Sequence, residues 1–416
     1  MLPKLIKIRQ NMPAPQLADV ASEVRKQLAA LSQDPETMRG KRIGITAGSR
    51  GIRNIPLILN EVARFVKEAG GSPVIVAAMG SHGGATAEGQ KEMLDSLGIT
   101  EASTGAPVLC HEEAARIGET ESGIPVFCNE EAIKLDGLAI VNRIKSHTDF
   151  SGEIESGLCK MMTIGLGNNQ GAGTAHYYAV NNGYTEMICD SAEVFMKKLP
   201  ILFGLGIVEN WKNQTMRIEA VYPKDLIAKE KELLRYYKEN SLKLPFTQAD
   251  VLVVEELGKN ISGAGMDTKV IGRIRILGQK EPDYPKITNV AVLNLTEESH
   301  GNATGIGLAD YSTLRVFEAL DLKATTINGL TSMSPDQIRI PVILDTDREA
   351  IEAACTTLGP AKENNIAMAV IRNTALLEEM AVTENILEQI RDKVEVLGAA
   401  EELRFGADGR LVSMFE

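Results

Sequence analysis

Three stretches in the first half of the chain repeat one pattern, an aliphatic run followed by a glycine- or serine-bearing polar loop and then a helical pattern. The runs cover residues 42–47, 73–79 and 137–144, and the loops after them read GSRGIRN, GSHGGAT and KSHTDFSGE. Successive strand, loop and helix units are typical of a parallel sheet flanked by helices. Because the carboxyl ends of parallel strands meet at one edge of a sheet, we expect these three loops to lie side by side.

The length of 416 residues exceeds the ~250–300 residues that one hydrophobic core usually organises. An amphipathic helical pattern over 225–240 and the turn-forming LKLPFTQAD precede a new apolar run at 251–254. Further runs at 290–295, 342–344 and 366–371 alternate with helical patterns such as 311–320, and GADG predicts a hairpin near the end. We therefore predict an α/β fold with two Rossmann-like domains, residues 1–245 and 246–416. The active site is expected in the cleft between them, with the last residues able to pack back on the first domain.

Charge and cysteine usage limit the classes of partner. The chain carries 44 Lys and Arg against 56 Asp and Glu, a net charge of −12, which disfavours binding to nucleic acid or to anionic membranes. The five cysteines are scattered and form no C-x-x-C pair, as expected in a reducing compartment. No apolar stretch approaches the ~18 residues of a membrane span. We expect a cytoplasmic protein without nucleic-acid or membrane partners.

Three of the five histidines, His82, His147 and His300, follow apolar strand candidates in loops that contain Gly or Ser. A histidine at such a position titrates near neutral pH and can serve as a general acid or base. Each alone could equally cap a helix or bind a loop carbonyl, but three at equivalent positions favour chemistry. Two arginines of the first loop, Arg50 and Arg53, could clamp a carboxylate or simply be solvated.

Lys160 lies in ESGLCKMMTIGLGNNQG, which is too apolar and glycine-rich for an ordinary surface lysine. A lysine near apolar groups can act as a nucleophile or covalent anchor. The structural alternative is a lysine at a helix end that extends its ammonium group to solvent. The glycines after it, G-x-G-x-x-x-G, are one residue too long for a dinucleotide fingerprint. The segment therefore does not predict an NAD site.

Taken together, SRGIRNIP, GSHGGAT, KSH, SGLCK and TAH stand in the order and approximate spacing of the N-terminal domain of the nickel-dependent lactate racemase superfamily, which the chain resembles over roughly residues 42–180. The resemblance implies that Lys160 carries a nickel-pincer nucleotide covalently and that His176, 16 residues later, ligates the nickel. It also implies that His82 and His147 are the catalytic histidines and that Arg53 binds the substrate carboxylate. The nucleotide phosphate is expected on the loop with Gly83, Gly84 and Thr86.

The second half resembles the family more loosely, through ELGKNISGAGMD and EESHGNATGIGLADY. Lys259, Asn260, Asp267 and His300 are the candidates there for substrate contacts, with structural roles equally open. The differences in this half indicate a substrate other than lactate.

The resemblance implies a racemase or epimerase of a small 2-hydroxy acid that works by hydride transfer. Cofactor-maturation proteins are expected partners, and a homodimer is one possible assembly. Two alternatives stay open on the sequence alone. One is an epimerase of a sugar acid or another 2-hydroxy acid on the same scaffold, and the other is a ligand- or metal-binding homologue without catalysis.

Overall fold

The computed structural model describes residues 2–32, 34–362 and 365–415. The strands, in chain order, are β1 (Ile6–Gln10), β2 (Arg42–Ala47), β3 (Ser72–Ala77), β4 (Val108–Leu109), β5 (Ala114–Glu119), β6 (Pro125–Asn129), β7 (Gly137–Arg143), β8 (Ile201–Glu209), β9 (Thr215–Val221), β10 (Gln248–Val254), β11 (Lys286–Val292), β12 (Tyr311–Thr313), β13 (Val342–Leu344), β14 (Met368–Ile371), β15 (Glu379–Val382) and β16 (Val394–Val396). The α-helices are α1 (Val20–Ala30), α2 (Ile55–Glu68), α3 (Ala87–Ser96), α4 (Glu101–Thr104), α5 (Glu130–Ile133), α6 (Leu158–Lys160), α7 (Asn168–Asn182), α8 (Tyr184–Lys198), α9 (Leu226–Glu239), α10 (Thr268–Ile271), α11 (Leu314–Ala319), α12 (Leu322–Thr331), α13 (Asp347–Thr356) and α14 (Glu384–Ile390).

The chain divides into two compact units. The N-terminal unit comprises residues 14–147 and 151–241, and the C-terminal unit comprises residues 1–13, 148–150 and 242–416. This differs from the prediction, which placed residues 1–245 in the first domain. The physical reason is that β1 pairs with β15 and β16, so the start of the chain belongs to the second sheet. The last residues also pack on that sheet's core.

The N-terminal unit is built on a six-stranded sheet in the order β4-β3-β2-β7-β8-β9. All strands are parallel except the edge strand β9, and helices such as α2 bury aliphatic side chains on the sheet. The predicted α/β fold class is confirmed, and the three loops predicted to share an edge follow β2, β3 and β7. The chain leaves β2 toward β3 on one side and returns to β7 on the other. The strand order thus reverses between β2 and β7, the place where α/β sheets bind ligands.

The side chain of Thr46 marks this reversal. The ladder between β2 and β7 extends only to the pair Ile45 and Ala139, and beyond it the hydroxyl of Thr46 bonds both the N–H and, at 3.1 Å, the carbonyl of Val141. Thr46 is fully buried, so a side chain replaces the backbone ladder where the strands separate.

The C-terminal unit is built on an eight-stranded sheet in the order β13-β12-β11-β10-β14-β15-β1-β16. Its first five strands are parallel, with apolar layers on both faces of β10. The helical pattern predicted over 311–320 begins instead as strand β12 and becomes α11 only at Leu314. The GADG turn forms between Phe405 and Leu411, which are bridged in antiparallel fashion. Within the described residues, no helix has the length and apolarity that crossing a membrane requires.

Candidate functional site

The loops after β2 and β3 are joined by a hydrogen bond between Ser49 and His82. The hydroxyl of Ser49 lies 2.5 Å from Nδ1 of His82, whose ring is exposed. The bond fixes the position of one imidazole nitrogen. Of the predicted site residues, His82 and Arg53 are thereby brought to neighbouring loops of one sheet edge.

A buried carboxylate, Glu209 at the end of β8, ties the loop after β2 to the end of β7. The N–H of Arg53 donates to Oε1 of Glu209 at 2.5 Å, and the guanidinium of Arg143 pairs with Oε2. Glu209 is 3% exposed and Arg143 16%, so the pair is largely withdrawn from solvent. Removing one partner of such a pair typically costs ~3–5 kcal/mol, and we expect Glu209 to be required for folding of this edge.

The guanidinium groups of Arg50 and Arg53 make no ion pair or hydrogen bond with any residue that the structure describes. Loss of hydration and the nearby positive charge of Arg143 lower the pKa of Arg50, although its side chain keeps an exposed surface. The guanidinium groups of Arg50 and Arg53 thus lie on one loop without a counter-ion among the described residues, whereas that of Arg143 is paired with Glu209.

His147 lies in the loop after β7, and its backbone is held by a second buried carboxylate. The N–H of His147 donates to Oε2 of Glu155 at 2.6 Å, and Glu155 has no exposed surface. The ammonium group of Lys238 on α9 neutralises the other oxygen at 2.6 Å. The position of His147 therefore depends on an ion pair between a loop and a distant helix.

The segment that carries Lys160 packs against the carboxyl ends of the same strands. The side-chain amide of Asn142, in β7, donates to the carbonyl of Gly157 at 2.8 Å, and the N–H of Gly80, after β3, donates to the carbonyl of Gly165 at 3.2 Å. A methyl group on Gly48, after β2, would come within 3.1 Å of Met161. Lys160 thus ends a short helix laid across the edge that also carries His82 and Arg53.

His176 on α7 lies close enough to Lys160 for the two side chains to interact electrostatically. Burial, with a further contribution from the charge of Lys160, lowers the pKa of His176 to about 4, so the imidazole is neutral at physiological pH. Its Nδ1 lies 2.7 Å from the hydroxyl of Tyr184, while Nε2 has no hydrogen bond to any described residue. A neutral imidazole oriented through one nitrogen is the form in which histidine ligates metals.

A third buried carboxylate, Glu230 on α9, supports the helix of Lys160. Its Oε2 accepts the N–H of Cys159 at 2.8 Å, and its Oε1 has no hydrogen-bond partner among the residues that the structure describes. A Cβ at Gly157 would lie 2.0 Å from Oε1, so only glycine allows this approach. Burial raises the pKa of Glu230 to about 7.

The loop of Gly83, Gly84 and Thr86, which the sequence predicts to bind the phosphate, already makes hydrogen bonds within the protein. The hydroxyl of Thr86 caps α3 by accepting the N–H of Gly89 at 3.1 Å, and the N–H of Ala87 is given to the carboxylate of Glu112 at 2.7 Å. Gly83 packs on the backbone of Gly89, where a Cβ would come within 2.6 Å, whereas a Cβ on Gly84 would meet nothing. A phosphate here would have to compete with Thr86 and Glu112.

A shallow depression of about 560 Å³ adjoins this loop, but Glu88 and Glu92 are among the residues that line it. Their negative charges oppose an anion. The prediction for Gly83, Gly84 and Thr86 therefore gains no support from the local geometry.

The candidates of the C-terminal unit lie in loops after β10 and β11. The ammonium group of Lys259 bonds the amide oxygen of Asn328 at 2.7 Å, and the amide oxygen of Asn260 accepts the hydroxyl of Thr296 at 2.8 Å. Asp267 caps α10, and His300 is exposed with a left-handed backbone at φ 46°. Lys259, Asn260 and Asp267 thus all have structural partners, and of the four only the His300 side chain has none among the described residues.

Sequence reasoning missed the residues that hold these groups in place: Ser49, Arg143, Glu155, Tyr184, Glu209 and Glu230. Most of these contacts join residues far apart in the chain, so spacing carries no signal for them. Glu155 and Tyr184 are the exceptions, because each lies only eight residues after the histidine that it contacts. Of the two, Tyr184 carries a usable signal, since a polar aromatic residue just beyond a helix end can be sought from sequence. No cluster of three or more His, Cys, Asp or Glu suited to a metal ion occurs among the described residues.

Comparison with known proteins relates this arrangement to one family. Residues 43–187 match the family model described as the lactate racemase N-terminal domain. Among solved structures, the chain is similar to the lactate racemase apoprotein from Thermoanaerobacterium thermosaccharolyticum, with 15% identity and a TM-score of 0.50, over 89% of this chain and 98% of that one. Comparison with curated proteins gives no match.

Proposed function

We propose that this chain is a racemase or epimerase of a small 2-hydroxy acid, a proposal supported by the match of residues 43–187 to the lactate racemase N-terminal domain. The observation that carries the proposal is the sheet edge whose loops hold His82 and Arg53 and against which the helix of Lys160 packs, with His176 near Lys160. The proposed reaction needs a cationic group that binds the carboxylate and a histidine that acts as a base. It also needs a lysine beside a neutral histidine to hold the cofactor.

The groups near α6 and α7 fit a nickel-pincer nucleotide. Lys160 would hold the nucleotide covalently, and the unbonded Nε2 of His176 would ligate the nickel, with Tyr184 orienting the ring through Nδ1. A single imidazole suits nickel when the remaining donor atoms come from the cofactor. When bound, the cofactor would supply the acceptor for the substrate's hydride.

The remaining steps belong to the chain's own side chains. Arg53 would bind the substrate carboxylate through two parallel hydrogen bonds and so fix the carbinol carbon. His82 and His147 would each remove or return the hydroxyl proton of one enantiomer. Ser49 would hold the ring of His82, and Glu155 would hold the backbone of His147. Loss of the hydroxyl proton and of the hydride converts the alcohol to a 2-keto acid. Return of the hydride to the opposite face of the carbonyl carbon, and of a proton to its oxygen, inverts the centre.

Substrate deuterated at the carbinol carbon tests the two-base assignment in protein loaded with cofactor. His82→Ala and His147→Ala should each abolish racemisation, because a full cycle needs both proton transfers. Each variant should still transfer deuterium from one enantiomer, and the enantiomer should differ between them. If both variants favoured the same enantiomer, the assignment would be refuted. His111→Ala, outside the three loops, is the matched control and should retain activity.

A further inference from the structure

The sheet of the C-terminal unit has a reversal of strand order of its own. From β10 the chain adds β11, β12 and β13 on one side and then returns to add β14 on the other side of β10. In α/β sheets, ligands bind beyond the carboxyl ends of the strands at such a reversal. The carboxyl ends of β10 and β14 are therefore the expected ligand site of this unit.

A cavity of about 260 Å³ lies at this reversal. Glu255 directly follows β10, Asn294 lies two residues after β11 and Arg372 directly follows β14, and all three line the cavity. The cavity also receives residues from the first turns of α11 and α13. Its position thus agrees with the site that the strand order predicts.

The end of the chain forms one wall of this cavity. The N–H of Leu411 donates to a carboxylate oxygen of Asp347 at 2.9 Å, and the hydroxyl of Ser413 donates to Oε2 of Glu255 at 2.7 Å. Leu411 and Phe415 give the wall apolar surface. The cavity therefore combines apolar surface with charged and polar groups, as small-molecule sites do.

Three polar groups of the lining have no hydrogen-bond partner among the described residues. They are two buried atoms, Oε1 of Glu255 and Nε of Arg315, and the side-chain amide of Asn294. A buried polar atom without a partner is unfavourable, and a ligand that bonds it removes this cost. The cavity thus offers a ligand one acceptor, one donor and one amide group.

The charges of the lining leave Glu255 without a counter-ion. Arg315 pairs with Asp347 at 3.1 Å, and Arg372 lies 3.8 Å from a carboxylate oxygen of Glu256. No ion pair joins Glu255 to any residue that the structure describes. With three carboxylates against two guanidinium groups, the lining has one negative charge in excess.

We infer that this cavity binds a small organic amine in its ammonium form, with Glu255 as the counter-ion and a neutral oxygen atom of the ligand on Nε of Arg315. An ammonium group carries several N–H donors, so the amide oxygen of Asn294 can accept a second one. A metal ion fits less well, because no cluster of three or more His, Cys, Asp or Glu suited to a metal occurs in the part of the chain that the structure describes. The inference is independent of the proposed function, whose reaction uses none of these residues.

Titration calorimetry of the purified full-length chain with 4-aminobutan-1-ol tests the inference. Butane-1,4-diol is the neutral molecule of the same length, n-butylamine lacks the oxygen, and calcium chloride tests an inorganic cation alone. At neutral pH the amino alcohol should bind at least tenfold more tightly than the diol, as expected for a charge-assisted hydrogen bond, and n-butylamine should lie between them.

Glu255→Gln should bring the affinities for the amino alcohol and the diol to within twofold of each other. Glutamine keeps an acceptor for the hydroxyl of Ser413 but removes the charge, whereas a role confined to folding would weaken both ligands alike. Glu388→Gln is the matched control, since Glu388 is an exposed carboxylate on α14 outside the cavity and should change neither affinity.

Asn294→Leu is a second variant that does not depend on Glu255. The amide of Asn294 makes no hydrogen bond to a described residue, so the variant is expected to fold and to weaken the amino alcohol by roughly twofold to tenfold. Equal binding of the amino alcohol and the diol to wild type would overturn the inference, as would saturable binding of calcium without binding of the amine. Amine binding that neither Glu255→Gln nor Asn294→Leu changes would place the amine elsewhere and would equally refute it.

Discussion

Glu230→Gln should change how the stability of the N-terminal unit depends on pH. Glu230 has no exposed surface, and burial raises its pKa from 4.5 to about 7. In the folded chain it therefore keeps its proton up to neutral pH, whereas the unfolded chain loses it near pH 4.5. A raised carboxyl pKa favours the folded state at low pH, and this contribution disappears as pH rises toward 7.

The size of the effect follows from the two pKa values. Between pH 5 and pH 8 the contribution of Glu230 to the free energy of unfolding should fall by roughly 2–3 kcal/mol. Glutamine can still accept the N–H of Cys159 but does not titrate. The variant should therefore resemble wild type at pH 5 and exceed its free energy of unfolding by roughly 2–3 kcal/mol at pH 8.

Urea unfolding followed by the fluorescence of Trp211 measures this, because Trp211 is the single tryptophan and lies in the N-terminal unit. Using the difference between variant and wild type cancels the other titrating groups, including His176. Glu232→Gln is the control on the same helix, since hydrogen bonding to Lys229 lowers the pKa of Glu232 and keeps it ionised across this range. A stability difference that is the same at pH 5 and pH 8 would contradict the argument for Glu230.

Three further predictions concern the site. Arg53→Ala should lower kcat/KM of the loaded enzyme by roughly 10²-fold, as expected for loss of a charged hydrogen bond to the carboxylate, and unchanged steady-state kinetics would mean that Arg53 is merely solvated. Lys160→Met should raise the pKa of His176 by removing a neighbouring positive charge, which NMR titration of the histidine ring would measure. In active wild type, mass spectrometry should find added mass on the peptide of Lys160, and an unmodified peptide would exclude covalent attachment.

Local patterns predicted the elements well because each depends on residues near one another in the chain. The helical patterns predicted after the first two loops are α2 and α3, and the amphipathic pattern over 225–240 is α9. The parallel arrangement that brings the three loops together also follows from the strand and helix alternation. The roles of His82, His147, Lys160 and His176 remain predictions.

What the sequence did not predict depends on contacts between distant residues. Glu230 supports Cys159 across 71 positions, and Glu209 supports the Arg53 loop across 156. A buried carboxylate of this kind is indistinguishable in sequence from any glutamate on a helix or at a strand end. The prediction that residues 1–13 belong to the first domain was wrong for the same reason, because the strands that pair with β1 lie near the other end of the chain.

The position of β1 also sets an order of events during synthesis. Ile6 and Ile8 are buried against β15 and β16, and Arg9 bonds Glu379, 370 positions later. At ~5–20 residues per second, roughly 20–70 s pass between the translation of the two partners. The N-terminal unit can meanwhile complete its own sheet, while β1, in which Ile6 and Ile8 alternate with Lys7 and Arg9, stays unpaired. A nascent chain therefore carries β1 without its partner strands until residues 379–396 have been translated, and a chaperone that binds β1 would protect it during this interval.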